Sequence, residues 1–95
     1  MEAPLISAEV LARYAGDAAQ EVDGVSGLAR DAEVARTNGT ADVVVHVELA
    51  WGSSAEAVGR TVQEHVAEYV GQMSELDVRS VDVIVEQVGA PPAKQ

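Results

Sequence analysis

The sequence predicts a single α+β domain with two layers, in which two helices pack on one face of a three-stranded mixed sheet in the order α-β-β-α-β. The length of 95 residues leaves room for one hydrophobic core. Seventeen valines and sixteen alanines, with no phenylalanine, make that core from small side chains and favour strands. Two segments of helical periodicity are interspersed with segments of alternating hydrophobicity, and a strand, a helix and a further strand form a right-handed parallel unit.

The first helix is predicted from about residue 8 to residue 22. Ser7 is placed to cap its N-terminus. Apolar residues then recur at the spacing of one helix face: Val10, Leu11, Tyr14, Ala15, Ala18 and Val22. Gly24 follows where a helix often ends in a left-handed residue, and we expect residues 24–28, including Gly27, to form a loop.

Asn38-Gly39 predicts a tight hairpin turn, because both central residues of a type I′ turn need positive φ. The strand before it is short and weakly marked, over residues 32–36. The strand after it, over residues 41–50, alternates clearly. Its predicted core face carries Val43, Val45, Val47 and Leu49, and its opposite face carries Asp42, Val44, His46, Glu48 and Ala50.

Trp51-Gly52 ends this strand and precedes the second helix. Ser53 and Glu56 have the spacing of a capping box, so we expect Ser53 to cap a helix that extends to about Ser74. Trp51 is interpreted as a lid over the edge of the valine core, since the chain has few other aromatic residues.

The third strand is predicted over residues 78–88. Val81, Val83 and Val85 take one face, and Ser80, Asp82, Ile84 and Glu86 take the other. We expect residues 1–6 to be a flexible N-terminus, residues 7–89 to form the single domain, and residues 90–95 to be a disordered tail.

The charge balance narrows the class of partner. Sixteen Asp and Glu residues against six Lys and Arg residues give a net charge of −10, and such a surface repels phosphate backbones and anionic lipid headgroups. The N-terminus lacks a basic and apolar signal segment, and no window approaches the roughly 20 apolar residues that a membrane span needs. We therefore expect a cytoplasmic protein with no nucleic-acid partner and no direct membrane insertion.

Six residues are candidates for an interaction surface on the sheet face that the helices leave bare: Val44, His46, Glu48, Asp82, Ile84 and Glu86. A histidine with carboxylates could hold a divalent metal, but alternation alone also directs polar residues outward on a half-buried strand. With no cysteine and no serine in an elbow motif, a nucleophile has no visible partner. We expect no catalytic residue, no metal and no cofactor.

Gly24 and Gly27 also form a GxxG sequence, which KH domains use to clamp a nucleic-acid backbone. The two positions between these glycines carry no Lys or Arg, so the end of the first helix is the preferred explanation for Gly24. A KH-like nucleic-acid-binding module and a small metal-binding or ligand-binding domain are the two alternatives to an interaction protein.

The passage Glu21-Val22-Asp23-Gly24-Val25-Ser26-Gly27-Leu28 resembles the alkaline shock protein family of bacterial cell-envelope stress-response proteins. The strand that runs into Trp51-Gly52, the second helix and the closing Val81-Asp82-Val83-Ile84-Val85 extend the resemblance over residues 5–88. Trp51 departs from the family, which usually has tyrosine there, and the segment between Leu28 and Val43 is shorter than in typical members.

The resemblance implies a non-enzymatic cytoplasmic protein that supports envelope homeostasis. It implies that the protein collects at the membrane through a small membrane-anchored partner, and it brings no catalytic residues. We expect self-association and partner binding to be its mode of action. From the mixed apolar and acidic character of the bare sheet face we expect a weak homo-oligomer.

Overall fold

The computed structural model describes residues 6–91 and has the predicted fold class. Its elements are α1 (Ala8–Gln20), β1 (Val25–Thr37), β2 (Thr40–Leu49), α2 (Ala55–Ser74) and β3 (Asp77–Val88). The flexible N-terminus predicted for residues 1–6 and the tail predicted for residues 90–95 lie outside the described residues, apart from residues 6, 90 and 91.

The sheet has the order β1-β2-β3, with β2 antiparallel to β1 and parallel to β3. Every second residue of the central strand is 0–1% exposed and faces the helices: Ala41, Val43, Val45, Val47 and Leu49. Leu11 of α1 and Val62, Val66 and Val70 of α2 close the core from the other side. We call the helix-covered side of the sheet the inner face and the opposite side the outer face.

Serine caps begin both helices, but the second cap is one residue later than predicted. Ser7 Oγ accepts a hydrogen bond from the Val10 amide at 3.2 Å. In α2 the cap is Ser54, whose Oγ accepts from the Ala57 amide at 3.3 Å, so the Ser53 and Glu56 capping box is wrong. Ser53 instead donates to the carbonyl oxygen of Gly24 at 3.5 Å, which ties the start of α2 to the end of α1.

The loop predicted for residues 24–28 is wrong, because β1 already begins at Val25. Gly24 alone has a loop conformation, with φ of +98°, and Gly27 lies within the strand. The register against β2 shifts three times before Glu33, and each bulge inverts the side-chain alternation. A strand that changes face repeatedly loses the two-residue period by which it could be recognised.

Trp51 is not the predicted lid over the core. It is 57% exposed and lies with Gly52 in the turn that follows β2. The core ends at Leu49, and the tryptophan extends beyond it.

The hairpin turn gives a stability prediction. Asn38 and Gly39 have φ of 48° and +83°, and the turn joins Thr37 to its partner Thr40. Gly39→Val should lower the free energy of unfolding by at least about 1 kcal/mol, because a β-branched residue is strained at positive φ. Gly39→Asn should cost less, since asparagine tolerates this conformation. Equal thermal unfolding of the valine variant and the wild type would contradict the prediction.

Candidate functional site

A chain of polar side chains crosses all three strands on the outer face. The Nδ1 atom of His46 lies 2.7 Å from Oε2 of Glu86 on β3, and its Nε2 atom lies 3.2 Å from Oε2 of Glu33 on β1. Arg30 of β1 donates to Oε1 of Glu86 at 2.8 Å. His46 is only 8% exposed, so the fully solvated position expected for it is wrong although its predicted face is right. The covering side chains from the neighbouring strands bury it.

Both ring nitrogens of His46 therefore face carboxylate oxygens. These two contacts hold the ring between β1 and β3. A metal ligand would need a nitrogen with a free lone pair, and both nitrogens point at carboxylates here. Within residues 6–91, no group of three or more His, Asp or Glu residues is arranged to hold a metal ion.

A second ion pair lies at the other end of the outer face. Arg79 donates to both carboxylate oxygens of Asp42, from Nε at 3.1 Å and from Nη2 at 2.5 Å. Ser80 donates to Oδ1 of Asp42 at 2.7 Å. The hydrogen bonds from Arg79 and then from Ser80 lower the pKa of Asp42, and the bond to Asp42 raises the pKa of Arg79.

The lowered pKa of Asp42 predicts an acid-dependent loss of stability. The carboxylate contributes stability fully above its unfolded pKa of about 3.9, and this contribution disappears as the pH falls through the lower folded value. Asp42→Asn should be less stable than wild type at neutral pH and approach it in acid, as measured by urea unfolding across pH. Asp17→Asn, at an exposed position of α1, is the control. A constant difference at every pH for Asp42→Asn would contradict the prediction.

Two apolar residues occupy the middle of the outer face. Val44 is half-buried and its register partners are Glu33 on β1 and Asp82 on β3. Ile84 is 44% exposed and pairs with His46. The structure thus brings together five of the six predicted surface residues with three that the sequence analysis missed.

The sixth predicted residue, Glu48, is half-buried at the end of β2 and pairs with Gly27 and with Gln87. The residues missed are Arg30 and Glu33 of β1, together with Arg79 at the start of β3. The charge of the two arginines could have identified them, because Arg30 and Arg79 are among only six basic residues of the chain. In the structure each forms an ion pair with a carboxylate. Their partners on the neighbouring strands could be identified only from the pairing register of the sheet.

The GxxG sequence does not form a clamp between two helices. Gly24 follows α1 and precedes β1, and Gly27 belongs to the strand. The Gly24 carbonyl oxygen accepts a hydrogen bond from the Ala50 amide at 2.8 Å. These glycines therefore connect a helix to a sheet edge.

The fold and its open outer face define a two-layer α+β domain that solved structures share. One variant of the MamM CTD is 18% identical, with 83% of this chain and 93% of that chain covered and a TM-score of 0.60. The nickel form of another variant is 16% identical (83% and 96% covered, TM-score 0.60), and the copper form of a third is 18% identical (83% and 95% covered, TM-score 0.59). At these identities the likeness shows the fold alone.

The family follows from a match over nearly the whole chain. A family model described as "Asp23 family, cell envelope-related function" matches residues 3–90. The chain belongs to this alkaline shock protein family, whose name does not refer to residue 23 of this sequence, and the resemblance seen in the sequence is confirmed. A search of curated proteins gives no match. No helix within residues 6–91 has the length and apolar character to cross a membrane.

Proposed function

We propose that this protein is a non-enzymatic envelope stress-response protein that associates weakly with itself and binds a small membrane-anchored protein. Membership of a family with cell envelope-related function supports the cellular role. The outer face carries the binding role, because exposed Ile84 and half-buried Val44 lie within a ring of charged side chains. An apolar centre with a polar rim is the usual anatomy of a protein interface. In this proposal the protein is cytoplasmic, uses no cofactor and reaches the membrane only through its partner.

The test replaces the apolar centre by charges. Val44→Lys/Ile84→Glu should abolish self-association in light scattering and should remove the membrane proteins that wild type recovers in a pull-down. Val88→Lys/Met73→Glu is the matched control, because Val88 and Met73 are 49% and 44% exposed. Both lie off the outer face, since Val88 pairs with Leu49 of the inner face and Met73 belongs to α2. Recovery of the same proteins by both variants would show that the outer face is not the interface.

The proposal excludes nucleic acid as the partner. We expect no binding of DNA or RNA at roughly 0.15 M salt, since no cluster of Lys or Arg is available to release counterions and the net charge is −10. A gel-shift assay measures this. Micromolar affinity that is weakened by Ser26→Asp, at an exposed position between the two glycines, would overturn the proposal and favour the KH-like alternative.

A small metal-binding domain is the second candidate, because two of the similar structures are named as nickel and copper forms. His46 would be the ligand, and the carboxylate of Glu33 or Glu86 would have to turn away from its ring nitrogen. Calorimetric titration of wild type and His46→Gln with Ni²⁺ and Cu²⁺ tests it. Equal heats in both proteins would eliminate this candidate.

A further inference from the structure

The two arginines of the outer face, Arg30 and Arg79, form ion pairs with carboxylates of the same chain. Arg30 pairs with Glu86 at 2.8 Å, and Arg79 pairs with Asp42 through two hydrogen bonds. Each pair neutralises itself within the face. These arginines therefore offer little positive charge to an incoming surface.

Three carboxylates of the same face lack an arginine or lysine partner among residues 6–91: Glu33, Glu48 and Asp82. The ionic contact of Glu33 is with His46, and the Glu33 side chain is 69% exposed. Asp82 is exposed on β3, the strand at one edge of the sheet. The uncompensated charge of the outer face is thus negative.

Two of these carboxylates flank the apolar centre in one row across the sheet. Val44 pairs with Glu33 on one side and with Asp82 on the other. Since neighbouring strands lie about 4.8 Å apart, the two acidic residues stand on strands about 10 Å apart with Val44 between them. Ile84 extends the apolar centre by one row, beside His46.

This arrangement determines which kind of protein segment can bind the outer face. A segment that places apolar side chains over Val44 and Ile84, with lysine or arginine on both flanks, would bury the apolar centre and pair the free carboxylates. An amphipathic helix with basic borders has this pattern. We infer that the outer face binds a basic amphipathic segment of the partner protein, and this inference rests on the proposed function. A second copy of the chain would bring the same uncompensated carboxylates against the face, which like-charge repulsion disfavours.

Two synthetic peptides test the inference. One is an amphipathic helix of Leu and Lys, and the other has Glu in place of every Lys. We expect wild type to bind only the Lys peptide in fluorescence anisotropy at roughly 0.15 M salt. Glu33→Gln/Asp82→Asn should weaken this binding at least about fivefold, because two ion pairs are lost.

Two further variants locate the contact. Glu64→Gln/Glu68→Gln removes the same charge from exposed positions of α2 and should leave the affinity within about twofold. Asp82→Asn/Glu48→Gln leaves the His46 contacts in place and should weaken binding as the first variant does.

Three outcomes would overturn the inference. Equal weakening by the outer-face and α2 variants would mean nonspecific attraction to an acidic protein. Failure of the Lys peptide to bind would exclude a basic amphipathic occupant. A wild-type dimer in light scattering that is lost in Val44→Lys/Ile84→Glu, with no peptide binding, would make a second copy the occupant. Suppose that wild type recovers membrane proteins, that Val44→Lys/Ile84→Glu does not, and that neither peptide binds. The proposed function then stands, and only the inferred basic amphipathic character of the bound segment is wrong.

Discussion

Truncating Leu49 to alanine is expected to lower the free energy of unfolding by about 2–5 kcal/mol. Leu49 is 1% exposed and, with Leu11, is the largest of the fully buried side chains in a core that otherwise consists of valine and alanine. Small neighbours cannot expand into the cavity that three missing carbon atoms leave, so the loss combines transfer and cavity terms. For a domain whose total stability is about 5–15 kcal/mol, this is a large fraction.

Val88→Ala is the matched control for this prediction. Val88 is the register partner of Leu49 on β3 but is 49% exposed, so its truncation removes much less buried surface. Thermal unfolding should show a fall in Tm of at least about 8 °C for Leu49→Ala and a much smaller fall for Val88→Ala. Similar losses for both would mean that the core extends past Leu49 to the sheet end.

The central strand and both helices could be predicted because their patterns are uninterrupted. From Ala41 to Leu49 every second residue is buried, which preserves the two-residue period. α2 buries Val62, Val66 and Val70 at a four-residue spacing. When a helix or strand is regular and buries one face in the core, its hydrophobic periodicity is enough to predict it.

The first strand could not be predicted from periodicity. Its bulges lie at residues 25–27, 28–30 and 30–33, so it has no run of regular alternation until Glu33. Gly24 and Gly27 added to the appearance of a loop. The energy that makes this segment a strand comes from its long pairing with β2, which is a tertiary contact and leaves no local pattern.

The contrast between regular strands and the bulged β1 also explains which parts of the candidate site were predicted and which were missed. Alternation placed His46, Ile84 and Glu86 on the outer face, because β2 alternates throughout and β3 keeps an unbroken register with it from Ser80 to Val85, directly before Glu86. The burial of His46 and its contact with Glu33 depend on how an irregular strand aligns with β2. A candidate surface could therefore be named from sequence, whereas the charges left free on it could be counted only with the structure.

Replacing Gly24 by alanine is expected to lower the free energy of unfolding by about 2–4 kcal/mol, from two separate causes. Gly24 has φ of +98°, which strains any residue with a Cβ atom. A Cβ atom there would also lie 2.7 Å from Cγ2 of Val58 and 3.1 Å from Oγ of Ser53. Either the start of α2 or the end of α1 must move to make room.

Gly52→Ala separates the two causes, because Gly52 has a similar φ of +86° but no heavy atom within 4 Å of the added Cβ. Its loss should be about 1 kcal/mol, the strain alone. The double variant Gly24→Ala/Val58→Ala should be more stable than the sum of its single variants predicts, since shortening Val58 relieves the contact. Urea unfolding of the four proteins and the wild type measures this coupling. Additive losses would mean that Gly24 is required for its backbone conformation only, and that α2 does not pack against the end of α1 as closely as these distances indicate.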